Sequence, residues 1–141
     1  MKISDILRHK GSTVVTISPS DAVTALVSQL ADHKVGALVV ANGDTVAGIV
    51  SERDVVRRLA ERGAAILELT VADIMTTDVV SCDPQDSVDS VAATMTERRI
   101  RHMPVISDGG LVGIVSIGDV VLSRIQQLEQ DRGQLEQYIT G

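Results

Sequence analysis

The period of the apolar positions changes several times along the chain, and each change marks an element. Val14 to Ile17 form a short apolar run that reads as a strand and ends at Ser18-Pro19. Ala22, Val23, Leu26, Val27 and Leu30 then recur at the spacing of one helix face. Ser18 is an N-cap type, Pro19 suits the first helical position and Asp21 suits the positive end of the helix dipole, so this helix is expected to begin at the proline. Ala37 to Ala41, the turn signal Asn42-Gly43-Asp44, and Val46 to Val50 read as a hairpin. A second helix is expected from about Glu52 to Arg62, and Gly63 to Thr70 read as a linker.

The pattern is then written a second time. A shift of 65 residues lays Thr13–Leu59 over Asp78–Arg124 without a gap, placing GIVSERDVV (Gly48 to Val56) on GIVSIGDVV (Gly113 to Val121). The second copy predicts a strand at Val79 to Cys82 and a helix starting after Asp83-Pro84 that buries Val88, Val91, Ala92 and Met95. A hairpin follows, from Met103 to Ile106 and Leu111 to Val115 around Asp108-Gly109-Gly110, and then a helix from Ile117. Short helical lead-ins precede the copies, SDIL at Ser4 to Leu7 and ADIM at Ala72 to Met75, and three extra residues follow the first. A β-α-β-β-α unit of roughly 55 residues covers one sheet face with helices and is marginal alone, so two copies are expected to pack sheet to sheet in an α+β fold. The expected division is repeat 1 over 1–65, repeat 2 over 66–125, and a helical extension over 126–141.

The last helix, running on into this extension, carries Val121, Ile125, Leu128, Leu135, Tyr138 and Ile139 on an apolar stripe. Gly133 interrupts it at a cost of about 1 kcal/mol against alanine, which predicts a hinge or a supporting surface there. The stripe either packs on its own domain or forms a dimer surface.

Composition removes several functions. Hydrophobic residues make up 44% of the 141, but Tyr138 is the single aromatic, so there is no stacking platform for single-stranded nucleic acid. The net charge of -6 also repels a phosphate backbone. One cysteine, Cys82, allows no internal disulfide and fits a reducing compartment, with the cytoplasm as the expectation. No apolar run approaches the roughly 20 residues that span a bilayer, and the first residues lack a signal-peptide core.

The candidate chemistry lies where each hairpin meets its following helix, at Gly-Ile-Val-Ser-x-x-Asp in both copies. With this doubled signature and the segment RIRHMPVIS (Arg99 to Ser107), the chain resembles the CBS (cystathionine β-synthase) domain family over nearly its whole length, as a stand-alone tandem pair. The resemblance implies a pseudo-twofold pair of repeats with clefts that take adenine-containing ligands such as AMP, ADP, ATP, NAD or S-adenosylmethionine. It places Ser51 and Asp54 in one site, Ser116 and Asp119 in the other, and basic positions such as Arg101 and His102 near ligand phosphates.

The physical reasons stand beside the resemblance. A carboxylate accepts from both hydroxyls of a ribose, a guanidinium fork matches phosphate, and the N-H groups at a helix start favour an anion. Arg53 would add a second cation where the corresponding Gly118 offers none. The competing account is local, since Ser-x-x-Asp ahead of an apolar helix is also a capping box, and the basic corner could be merely solvated. The copies differ, with Arg101-His102 standing where the first copy has Gly36-Ala37, so two unequal sites are expected.

Nothing in the chain suggests a catalytic centre. Cys82 on an apolar strand reads as core, as do Met75, Met95 and Met103, while His9, His33 and His102 lack metal-ligand spacing. Asp73, Asp78, Arg57 and Arg58 read as surface or capping charges. The expectation is therefore a non-enzymatic regulatory module that needs no cofactor or metal, binds an adenine nucleotide, forms a homodimer and signals to an unidentified protein. The alternatives are a ligand-independent scaffold and, less favoured, a nucleotide hydrolase.

Overall fold

The computed structural model describes residues 1–11 and 13–140, the last without its side chain. In chain order the helices and strands are α1 (Ile3–Lys10), β1 (Thr16–Ile17), α2 (Val23–His33), β2 (Ala37–Asn42), β3 (Thr45–Ser51), α3 (Glu52–Arg62), α4 (Val71–Ile74), α5 (Val88–Arg98), β4 (His102–Ser107), β5 (Gly110–Ser116) and α6 (Ile117–Thr140). β1 pairs in parallel with β2 and β2 antiparallel with β3, while β4 and β5 form a second antiparallel pair. β3 of one sheet lies against β5 of the other, giving the α+β pseudo-twofold pair. The repeat extends to its irregularities, because the ladder shifts register between Val40 and Ala41 and again between Val105 and Ile106. At the second turn Asp108 (φ 52°) and Gly109 (φ 77°) are both left-handed, as a two-residue hairpin loop requires.

Each repeat borrows its lead-in helix from the other. α1 precedes the first repeat, but Ile3 and Ile6 are buried with Val88, Val91, Met95, Met103, Val105 and Val115 of the second. α4 precedes the second repeat, but Val71 and Ile74 are buried with Ile17, Val23, Leu26, Leu38 and Val50 of the first. The unpaired N-H groups at each lead-in's start find matching acceptors. Val71 and Ala72 donate to the Asp21 and Pro19 carbonyls at 2.8 and 2.9 Å, and Ile3 and Ser4 to those of Asp86 and Pro84 at 3.0 and 2.9 Å.

Several readings of the sequence are corrected by the structure. The helices after the two prolines begin later than expected, at Val23 and Val88, because the carbonyls of a first turn are already engaged with the lead-ins. Asp21 and Asp86 instead close turns by accepting from the Ser18 and Asp83 N-H groups at 3.0 and 2.9 Å. The strand expected at Val79 to Cys82 reduces to a single parallel bridge between Cys82 and Val105. Gly63 to Thr70 is more than a linker, since Gly63–Glu68 forms a 3₁₀ helix that buries Ile66 completely. Finally, α6 passes through Gly133 without a break.

The stripe on α6 does not pack on its own domain. Val121, Ile125, Leu128, Leu135, Tyr138 and Ile139 are all exposed. Met95 and Met103 are core, with Met75 packed at its edge. Among the described residues no helix is long and apolar enough to cross a membrane.

Candidate functional site

Each hairpin delivers its helix through the same small network. The Ser51 N-H donates to Asp54 Oδ2 at 2.8 Å, the Ser51 hydroxyl donates to the same oxygen at 3.1 Å, and the Asp54 N-H donates to Ser51 Oγ at 3.3 Å. In the second repeat the Ser116 N-H reaches Asp119 Oδ2 at 2.8 Å and the Asp119 N-H reaches Ser116 Oγ at 3.1 Å. The capping role weighed for these residues is therefore real. It does not exhaust Asp54, whose Oδ1 has no partner among the described residues.

The residue before each β-hairpin is tied to the start of the helix that follows. The Gly36 carbonyl accepts from the Glu52 N-H at 3.0 Å and the Arg101 carbonyl from the Ile117 N-H at 2.8 Å. Equivalent backbones thus carry no side chain at one site and a guanidinium at the other. The absence matters at Gly36, where a Cβ would stand 3.3 Å from both Glu52 Oε1 and His102 Cε1. Glycine here lets His102 of the second repeat come up against the helix start of the first.

Between the repeats lies a cleft of about 220 Å³. One wall is the first turn of α3, with Ser51, Arg53, Asp54 and Arg57; the other is the α5–β4 corner, with Arg99, Arg101 and His102. Thr76 and Asp78 close one side, the former held to β3 by reciprocal bonds with Ile49 at 3.0 and 2.9 Å. The chain carries -6 overall, yet this cleft gathers four guanidiniums against the carboxylates of Glu52, Asp54 and Asp78. None of the four guanidiniums makes a hydrogen bond or ion pair among the described residues. A cleft below the usual 300 Å³ or more leaves part of a nucleotide-sized ligand in solvent.

Burial pushes the His102 imidazole below its ordinary pKa; the carboxylates of Glu52 and Asp119 pull against this and the charges of Lys10 and Arg101 add to it. His102 is therefore largely neutral at pH 7 and able to accept as well as donate a hydrogen bond.

Of the residues singled out in the sequence, Ser51, Arg53, Asp54, Arg101 and His102 line this one cleft. Ser116 and Asp119 do not. Asp119 faces a cavity of only about 60 Å³ with His9, Lys10, Leu122 and Ser123 around it. The sequence reading missed Arg57, Arg99 and Asp78, and had set Arg57 and Asp78 aside as surface or capping charges. Arg57 lies three residues beyond Asp54 on one helix face, a spacing that could have exposed it. Arg99 is the left-handed C-cap of α5, which the apolar pattern does not reveal. Asp73, by contrast, caps α4 through Thr70 at 2.9 Å.

Two other features hold no comparable chemistry. A wider, open depression of about 510 Å³ between the hairpin turns has Asp44, Asp108 and glycines around it and no cationic lining residue. The Cys82 thiol is core, and burial pushes its pKa up to about 12, with Asp86 and Asp83 adding to the effect. Among the described residues no group of His, Cys, Asp and Glu is arranged to hold a metal ion.

The family model for the CBS domain matches residues 3–61 and 71–124. The CBS domain-containing protein CBSX3, mitochondrial, of Arabidopsis thaliana is 36% identical over 99% of this chain and 72% of its own length. The CBS-domain protein ATU1752 of Agrobacterium tumefaciens superposes with a TM-score of 0.86 at 42% identity, covering 88% of this chain and 99% of its own. The CBS domain pair of protein MJ0100, solved in complex with 5′-methylthioadenosine and S-adenosyl-L-methionine, gives a TM-score of 0.78 at 25% identity, over 92% and 98% of the two chains. The doubled hairpin-to-helix signature and the shared architecture together show that the chain belongs to the CBS domain family, as a tandem pair of its repeats.

Proposed function

We propose that the protein is a regulatory module that binds an adenosine-containing ligand in the cleft between α3 and the α5–β4 corner. One observation carries the reading: a carboxylate with a free oxygen and four unpartnered guanidiniums converge there from two repeats. Asp54 accepts from the ribose hydroxyls, Ser51 and the α3 N-H groups line the sugar-phosphate path, and Arg53 and Arg101 hold phosphate, with His102 completing that half. Family membership and the nucleoside complex of the MJ0100 pair support the ligand class. The arginines favour AMP, ADP, ATP or NAD over S-adenosylmethionine, which carries no phosphate. No reaction is assigned to the cleft, and the ligand is a signal in this reading.

Calorimetry with AMP, ADP, ATP, NAD and S-adenosylmethionine tests the proposal. A charge-assisted hydrogen bond contributes about 1.5–3 kcal/mol, so Arg101→Ala weakens the phosphorylated ligand roughly 10- to 100-fold. Asp54→Asn removes the charge while keeping the shape, and weakens every ligand bearing a ribose diol. Unchanged affinities in both folded variants would overturn the site assignment.

The second reading is a ligand-independent scaffold, favoured by the complete capping box that Ser51 and Asp54 make by themselves. It predicts no thermal shift with any of these compounds, whereas a ligand at 100 times its Kd stabilises by about 2.7 kcal/mol. Signalling is proposed to pass through a homodimer joined by α6, whose apolar stripe lies exposed. Light scattering of the protein ending at Arg124 checks this, because a dimer that persists without residues 125–141 would remove that part of the stripe from the interface. A cytoplasmic location remains the proposal, although the Arabidopsis relative is named as mitochondrial.

A further inference from the structure

The two lead-in helices differ in length, and the difference falls on the second cleft. α4 ends at Ile74, whereas α1 continues for another turn to Lys10, the first of the three residues added after the first lead-in. The Lys10 ammonium donates to Asp119 Oδ2 at 2.7 Å and to the Ile114 carbonyl at 3.0 Å, spanning from the end of β5 to the first turn of α6. Beside Asp54 a cleft of about 220 Å³ opens between the two repeats, whereas the cavity that reaches Asp119 is about 60 Å³ and lies between α1 and α6. Partial burial pulls the Asp119 carboxyl up, but the Lys10 hydrogen bond, the Ser116 N-H and the Lys10 charge outweigh it, leaving the carboxylate ionised and paired.

We propose that Lys10 is a built-in latch on the second cleft, holding Asp119 in an internal ion pair so that the chain presents one open nucleoside site and one closed one. This rests on reading the two aspartates as ribose acceptors. The latch is intramolecular and needs only a short helix end, so an entering nucleoside must displace an ammonium that is already in place. Gly36 supplies no replacement cation on that side, so nothing else neutralises Asp119 as closely. The latch accounts for the inequality of the sites more directly than the Arg101 to Gly36 difference does.

Native mass spectrometry of the full chain with 5′-methylthioadenosine tests this, because the compound has a ribose diol and no phosphate and so probes the aspartates. Lys10→Ala is expected to bind one more equivalent than the wild type, and Lys10→Ala/Asp119→Ala to lose that equivalent again. Lys10→Met, which keeps the aliphatic stem, serves if alanine disturbs the helix end. No added equivalent in either folded variant, or a wild-type equivalent that Asp119→Ala alone removes, overturns the latch. The open cleft is scored separately by Asp54→Asn. A wild type that binds no compound of the adenosine panel overturns the reading of that cleft, while the gain on removing Lys10 still decides the latch.

Discussion

Alanine at Gly48 and at Gly113 makes the same chemical change at equivalent positions of the two repeats, and the structure predicts different costs. Both glycines are buried where a lead-in segment crosses a strand, and neither has a positive φ, so the backbone tolerates alanine at each. At Gly48 the new Cβ would stand 2.6 Å from the Thr76 carbonyl oxygen and 2.9 Å from Met75 Sδ. The Thr76 oxygen is backbone and already accepts from the Ile49 N-H at 3.0 Å, so relief requires the chain to move and that bond to stretch. Overpacking of this kind costs about 1–3 kcal/mol. At Gly113 the Cβ would meet Leu7 Cδ2, also at 2.6 Å, but this is the end of a half-buried side chain. A rotamer adjustment of about 0.5–1.5 kcal/mol is offset by roughly 0.4–1 kcal/mol from the stiffer unfolded chain. Gly113→Ala is therefore nearly neutral. The stiffer unfolded chain offsets both changes alike, so with about 4 °C per kcal/mol for a chain of this size Gly48→Ala lowers Tm by up to about 10 °C and Gly113→Ala by about 4 °C or less. Differential scanning calorimetry of the two variants decides the matter. Equal losses, or a larger loss at Gly113, would refute the account of how the lead-ins dock. Because Thr76 and Asp78 wall the open cleft, Gly48→Ala also weakens ligand binding there, which Gly113→Ala does not.

Two further outcomes follow from groups with displaced pKa values. The His102 value is lowered by folding, so as pH falls through about 6.5 the unfolded chain takes up the proton first and stability declines, a slope that His102→Gln removes from thermal melts between pH 8 and 5. A bound phosphate raises the same group, so binding takes up a proton and affinity for AMP rises over that interval; a pH-independent affinity would show that phosphate does not sit beside His102. Cys82, with its pKa pushed up to about 12, reacts with a disulfide reagent at pH 8 at least about 100-fold more slowly in the folded protein than in urea, and equal rates would contradict its burial.

The sequence was most legible where local chemistry decides the structure. Glu52–Arg62 is the helix expected there, because Ser51 and Asp54 fix its start without outside help. The hairpins follow from the turn residues around Gly43 and Gly109, whose strand partners are adjacent in sequence. It was least legible where a distant segment competes. Pro19 and Pro84 look like helix starts until α4 and α1 occupy the carbonyls that a first turn would use. The linker gave no sign that Ile66 enters a core, since one apolar residue among small ones has no period. For the site, the five cleft residues were found by their position at element junctions. Ser116 and Asp119 were expected to form a second, unequal site, and Lys10, the partner that Asp119 finds instead, is nearly the whole chain away in sequence.

The central claim, that the cleft between α3 and the α5–β4 corner is the ligand site, is tested most directly by amide mapping. A 15.0 kDa chain suits two-dimensional NMR titration with AMP. The account predicts saturable shifts at Ser51 to Asp54 and at Arg99 to His102, with Ser116 to Asp119 nearly still while Lys10 is intact. Shifts centred on the hairpin turns at Asp44 and Gly109, or no shifts at millimolar AMP, would contradict it.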